Sequence, residues 1–236
     1  MRGKALLYIV MLLVILELSI ADVVVFSDYE THTTLEKNNL HIERIVTLKN
    51  VGVNPIIPGE LHFKLHEIDK EKMIPSSVSD FSANNKDYGT ELKTRVLQGD
   101  EETDLIISVW EPVLPKFSYR IILSYNLAFK PSGLLFYELN VPIEQTTIPI
   151  ENQKHNLYIS KSYSVTYAPD AAVTTITENN IDYRVVSWEN QEGMIVEYSR
   201  LPLPKLGIKA VNLFWGVIIV AMLVMTFLLH RKMRKI

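Results

Sequence analysis

The chain has 236 residues, with 24 basic against 27 acidic side chains and no cysteine. The missing thiols exclude cysteine nucleophiles, zinc–thiolate centres and iron–sulfur clusters, and any core must stand without disulfides. Setting aside Arg2, Lys4 and Glu17 at the start and four basic residues at the end leaves 18 basic and 26 acidic residues over 22–209, a net charge of −8. That balance argues against nucleic-acid binding, which runs on phosphate neutralisation.

Residues 1–21 read as a secretion signal. Arg2 and Lys4 make a positive start, 5–16 are apolar, and Ser19 and Ala21 put small side chains where a signal peptidase needs them for cleavage before Asp22. The apolar run would make a helix of about 18 Å, short of a hydrocarbon core of about 30 Å. In an uncleaved anchor, Glu17 would sit at a costly depth.

Strand patterns follow. Residues 22–35 are rich in Val, Thr and aromatic side chains, Glu36-Lys37-Asn38-Asn39 is a polar turn, and Leu40, Ile42, Val46 and Leu48 alternate on one face of 40–50. That predicts a hairpin with one buried side. Gly52, Asn54-Pro55 and Pro58-Gly59 mark a loop before the alternation of Leu61, Phe63 and Leu65. Residues 69–88 are polar and predict a long loop with at most a short helix, in which Ser76, Asn84 and Asp87 are the candidate interaction residues. Further strands are predicted at 91–98, 103–110, 118–128, 134–141, 157–167, 171–177, 181–188 and 194–198, with Pro112, Pro115, Pro131 and Pro142 at their ends. Leu201-Pro202-Leu203-Pro204 reads as a stiff extended stalk. The fold class is all-β, an antiparallel β-sandwich. It is one large module or two, the division then being a sandwich over 22–142 and a second, smaller β unit with the stalk over 143–207, with the seam at 142–151.

Residues 208–230 predict a transmembrane helix. From Ala210 to Leu229 no side chain is charged, and the run is long enough to span at about 30 Å. Trp215 suits the membrane boundary, and Arg231 and Lys232 begin a basic tail over 231–236. Gly216 and Ala221 are not four apart, so no GxxxG dimer face is present. With a cleaved signal, the chain crosses a cell membrane or an ER-type membrane once, N-terminus outside and tail in the cytoplasm.

Motifs for chemistry are few. His62 and His66 share a strand face with Glu60 and Lys64, and His41, Glu43 and His32 could stand nearby as metal ligands. A solvated sheet face explains the same pattern, without HExxH or close His spacing, and no metal or cofactor is assigned. Asp100-Glu101-Glu102 with Asp104 lacks the spacing of a calcium loop and reads as a solvated turn. Phe117, Tyr119 and Tyr125 around Trp110 read as core or corner residues, not as a sugar platform. No GxSxG, SxxK or Gly-rich phosphate loop occurs. Enzyme activity is not expected.

Two stretches carry a family resemblance. Residues 41–52 end in Lys49-Asn50-Val51-Gly52 before Asn54-Pro55, and Pro112 to Tyr125 runs from a proline loop into a long alternating strand. With a single C-terminal span, residues 40–142 resemble the lumenal β-domains of the ribophorin I family, noncatalytic subunits of oligosaccharyltransferase. The resemblance implies an accessory module beside an integral-membrane protein, with no catalytic residues. The expected function is therefore a noncatalytic single-pass subunit or scaffold of a membrane complex. The alternatives are a free-standing surface protein that binds carbohydrate or an envelope partner, and a hydrolase whose site carries no recognised motif.

Overall fold

The computed structural model describes residues 23–36, 39–66, 73–99, 102–129, 133–141, 143–178, 180–190 and 194–233. The expected signal segment 1–21, Asp100-Glu101 and 234–236 lie outside them, as do the side chains of Ser76, Leu229, Arg231 and Lys232.

Alternation decides which side chains go inward. β1 (Val24–Leu35) and β2 (Asn39–Asn50) form the predicted antiparallel hairpin, with Tyr29 opposite Val46. On β2 the period of two is unbroken, and Leu40, Ile42, Arg44, Val46, Leu48 and Asn50 are all buried. β3 (Gly59–His66) follows, then β4 (Met73–Asn85), β5 (Lys93–Gln98) and β6 (Glu102–Val109). β7 (Ser118–Phe129) pairs with β2 and continues its inward face through Ile121, Leu123, Tyr125 and Leu127. β8 (Phe136–Asn140), the two-residue β9 (Glu144–Gln145), β10 (Gln153–Ser160), β11 (Ser164–Tyr167), β12 (Ala172–Glu178), β13 (Ile181–Glu189) and β14 (Ile195–Ser199) complete the strands.

They make a seven-stranded sheet in the order β12-β13-β10-β1-β2-β7-β4, a four-stranded sheet β5-β6-β3-β9 and a three-stranded sheet β11-β14-β8. One apolar cluster joins all three. Phe26 of the large sheet stacks on Phe63 of the four-stranded sheet at 6.0 Å, and Leu157, Val186, Val196 and Tyr198 carry the cluster into the three-stranded sheet. Each large side chain so buried contributes about 1.5–3 kcal/mol.

The structure departs from the sequence expectation in four places. The sheets are mixed, because β10 enters beside β1 in the same direction, with Tyr29 opposite Gln153 and Thr34 opposite Tyr158. A period of two is identical in parallel and antiparallel strands, so alternation could not reveal this. The segment expected as a loop is largely β4, an edge strand paired on one side to β7 with register shifts after Met73 and Ser79. A bulged edge strand tolerates the polar side chains that suggested a loop. Residues 157–167 split into β10 and β11 at a turn around Lys161 and Ser162. The large sheet also draws strands from both sides of the seam placed at 142–151.

The helix α1 (Ala210–Met233) closes the described chain. Its segment Ala210–Leu228 has a mean hydropathy of 2.4, is not buried beyond Ala210, and is long and apolar enough to cross a membrane. Arg231 and Lys232 continue the helical backbone.

Candidate functional site

The segment before α1 does not stand off as a stalk. Leu206 donates its N–H to the Thr166 carbonyl at 2.7 Å, and Lys205 Nζ donates to the Ala171 carbonyl at 2.7 Å. The chain after β14 is thereby laid along the domain and delivers Ala210 to the three-stranded sheet.

Glu197 receives it. This residue sits on the central strand β14, between Glu138 of β8 and Tyr167 of β11, and is 1% exposed. Its Oε1 accepts the N–H of Ala210 at 2.6 Å and the Thr166 hydroxyl at 2.7 Å, and its Oε2 accepts the N–H of Val211 at 3.2 Å. The next two N–H groups, of Asn212 and Leu213, turn back to the Lys209 carbonyl at 3.1 and 3.4 Å. Ala210, Val211 and Asn212, which open the helix, therefore all have acceptors for their N–H groups, and Leu213 makes the first i→i−4 bond. The first turn of α1 carries no acid of its own, so the carboxylate that complements the positive end of the helix dipole comes from a strand. Lys209 Nζ bonds Glu138 Oε2 at 2.6 Å beside it, and Phe214 packs on Phe136 with ring centroids 6.0 Å apart. Behind this junction Tyr137, Tyr163 and Tyr198 pack ring against ring, with Arg200 over Tyr163 at 5.7 Å. Burial, then the neighbouring Tyr163 and Tyr137, raise the Tyr198 phenol well above its usual pKa. The arrangement joins the first turns of the helix to β8 and β14.

A second polar group lies in the core. Arg44, on the inward face of β2, is fully buried and ion-paired to the buried Glu144 of β9. Arg44 Nε also donates to Thr31 Oγ1 at 3.0 Å, its guanidinium lies 4.7 Å from the Tyr29 ring centroid, and the Tyr125 hydroxyl donates to Glu144. Burial works against the Arg44 cation, but Glu144 and the two tyrosines outweigh it and the pKa is raised. Burial pushes the Tyr29 and Tyr125 phenols up, Glu144 adding to both. His155 is held down at about 3 by burial and by the Arg44 charge. This cluster ties the short β9 across to the large sheet.

A third feature is a pair of loops built on Asn50. Its buried side chain donates to the carbonyls of Asn54 and Val113, both at 2.8 Å, while Ile56 and Val113 exchange backbone hydrogen bonds. A Cβ on Gly52 would meet Val23 Cγ1 at 2.7 Å, so any larger residue there would have to displace the Val23 side chain. The joined loops display Val53 (88% exposed), Ile57, Trp110 (67%), Leu114 and Phe117 (64%). Tyr119 and Tyr125 are buried, as a core reading required, whereas Trp110 and Phe117 are not.

The other sequence candidates scatter. His41 lies on β2 and bonds Asn126 at 2.8 Å, while His62 lies on β3 in a different sheet and bonds Asp104 at 2.7 Å, so the two strands are not neighbours. Among the described residues no three His, Asp or Glu side chains gather to hold a metal ion. Glu102 is ion-paired to Lys64 at 3.0 Å. Asn84 and Asp87 are near one another, Asp87 paired to Arg120 Nε at 2.8 Å, but Ser76 is eight residues back along β4, about 26 Å of strand. Trp215 is exposed on α1 next to Phe214, and Ala210 is the residue that Glu197 caps. Sequence reasoning missed Arg44, Glu144 and Glu197. Arg44 was detectable, since it occupies the inward phase between Ile42 and Val46.

No family model matches the chain, and no curated protein matches it. Among solved structures it is similar to the M1 zinc metallopeptidase from Deinococcus radiodurans, with 12% identity and a TM-score of 0.45 over 76% of this chain and 43% of that one. It is likewise similar to a two-domain mutant M1 zinc metallopeptidase bound to L-tryptophan, with 13% identity, a TM-score of 0.45 and coverage of 76% and 43%. A mutant bound to L-arginine gives 13%, 0.44, 75% and 42%. The chain spans less than half the length of each. The ribophorin resemblance of 40–142 stands on its sequence motifs alone.

Proposed function

We propose that this chain is a noncatalytic, single-pass accessory protein of a membrane complex, a β-sandwich module held at a fixed angle to its own membrane helix. The domain lies outside the cytoplasm and the basic tail inside. The observation that carries this reading is the Glu197 cap on Ala210 and Val211. A tethered binding domain works on a loose linker, whereas a module that must meet a membrane neighbour in one orientation benefits from a rigid junction.

The loop pair on Asn50 is the surface offered to that neighbour. β7 begins beside Phe117 and carries the sheet away from the loop pair for 12 residues, about 40 Å of strand. Exposed Trp and Phe on backbone held by hydrogen bonds supply apolar area at little entropic cost.

Purification of the tagged full chain in mild detergent tests the reading. The expected result is a stoichiometric integral-membrane partner that is retained by the parent and lost from Trp110→Ser and Phe117→Ser. Recovery of the parent alone would reject it. The exposure of Trp110 and Phe117 favours one other reading, a free-standing surface protein that binds carbohydrate. It predicts a chain recovered alone that is retained on a glycan array through the same two residues.

A further inference from the structure

Around the start of α1 the domain exposes a group of large aliphatic side chains that the fold does not use. Leu134 is 86% exposed, Ile208 57%, Leu135 40% and Leu201 39%. They are far apart in sequence, yet hydrogen bonds bring them to one edge. Ser199 Oγ donates to the Leu135 carbonyl at 2.7 Å and accepts the N–H of Leu201 at 3.0 Å. The Tyr137 hydroxyl donates to the Leu134 carbonyl at 3.2 Å. The next residue, Phe136, packs on Phe214 in the second turn of α1, and Ile208 lies two residues before the capped Ala210.

We infer that this edge of the domain, Leu134, Leu135, Leu201 and Ile208, beds into the interfacial layer of the bilayer that α1 crosses. The inference rests on the reading of α1 as a membrane span. Continuity selects the occupant. Because the Glu197 cap leaves no slack between domain and helix, an apolar span starting at Ala210 brings the edge to the boundary of acyl chains and headgroups. There, exposed aliphatic side chains are stabilised by leaving water for the acyl-chain boundary. The surrounding side chains suit that depth. Arg200 lies over the Tyr163 ring at 5.7 Å, and Tyr137, whose hydroxyl bonds the Leu134 carbonyl, and Trp215 next to Phe214 supply further rings with one polar end.

The absence of cysteine permits a direct test in the full chain. Single variants Leu134→Cys and Ile208→Cys would carry a nitroxide label in phosphatidylcholine–phosphatidylglycerol vesicles. Ile219→Cys in mid-helix serves as the membrane reference, and Tyr88→Cys, which is 80% exposed at the opposite end of β7, as the aqueous one. Collision with oxygen is compared with collision with a water-soluble nickel chelate. Labels at 134 and 208 are expected to be at least threefold less accessible to nickel than the label at 88. If they match position 88 while position 219 is shielded, α1 spans and the bedding of the edge is overturned. If position 219 is also open to nickel, the spanning reading fails first and the inference falls with it.

Discussion

Glu197, on a strand, caps Ala210, the first residue of the helix, through a carboxylate oxygen that accepts its N–H at 2.6 Å. The same oxygen holds Thr166 and its twin holds Val211, so one buried side chain joins two strands and a helix. Replacing it by alanine leaves the N–H groups of Ala210 and Val211 without an acceptor, while the Thr166 hydroxyl keeps the backbone carbonyl of residue 197 at 3.1 Å. Hydrogen bonds to charged groups are worth about 1.5–3 kcal/mol and a helix cap about 1 kcal/mol, and we expect Glu197→Ala to cost about 2–3 kcal/mol. That is a fall in Tm of about 5–10 °C for a domain of this size, read by circular dichroism of the detergent-solubilised chain. Glu197→Gln, which keeps an acceptor, should cost less than half as much. An unchanged Tm in Glu197→Ala would mean that the cap does not form.

The Arg44–Glu144 pair makes a sharper prediction. Removing one partner leaves a buried charge, so Arg44→Met should destabilise by about 3–5 kcal/mol. Removing both charges in Arg44→Met with Glu144→Leu should recover most of that loss, since apolar replacement of a buried pair is often neutral. Chemical denaturation of the two singles and the double completes the cycle. Additive losses would show that the two residues are not coupled.

His155 supplies a pH dependence. Its folded pKa of about 3 lies below the ordinary 6.5, so below pH 6.5 the unfolded chain binds a proton that the fold excludes. The contribution is fully present above about pH 6.5 and is lost as pH falls towards 3, with a slope of about 1.4 kcal/mol per pH unit. Unfolding at pH 7 and pH 5 should differ by about 2 kcal/mol more in the parent than in His155→Gln. Equal differences would assign the acid sensitivity elsewhere.

The loop pair should separate binding from folding. Trp110 and Phe117 are mostly exposed, and their replacement by serine should change stability by no more than about 0.5 kcal/mol. Asn50→Ala, by contrast, strips the carbonyls of Asn54 and Val113 of their donor and should cost about 1–3 kcal/mol. A folded Trp110→Ser chain that keeps its partner would remove this face from the proposed interface.

Much of the architecture was legible in the residues. Leu40, Ile42, Val46 and Leu48 announced a strand with one buried face, and the uncharged run from Ala210 announced the helix. The alternation even held a clue that went unread, because Arg44 falls in the inward phase. Its partner was not legible, since Glu144 lies 100 residues away on a two-residue strand too short to carry any pattern. β4 was misread for a related reason. Edge strands bury little, so their sequences resemble loops.

By itself the sequence determined the periodicities: which residues could form strands, which side of each strand could be apolar, and where a membrane helix could begin. Those are local properties, set by the side-chain repeat and by an apolar run without charge. Only the tertiary structure decided that β10 runs parallel to β1, that Asn50 joins two apolar loops, and that Glu197 seats the helix on the domain. Each depends on which distant segments become neighbours, and a buried carboxylate reveals its purpose only when the donors that satisfy it are in place.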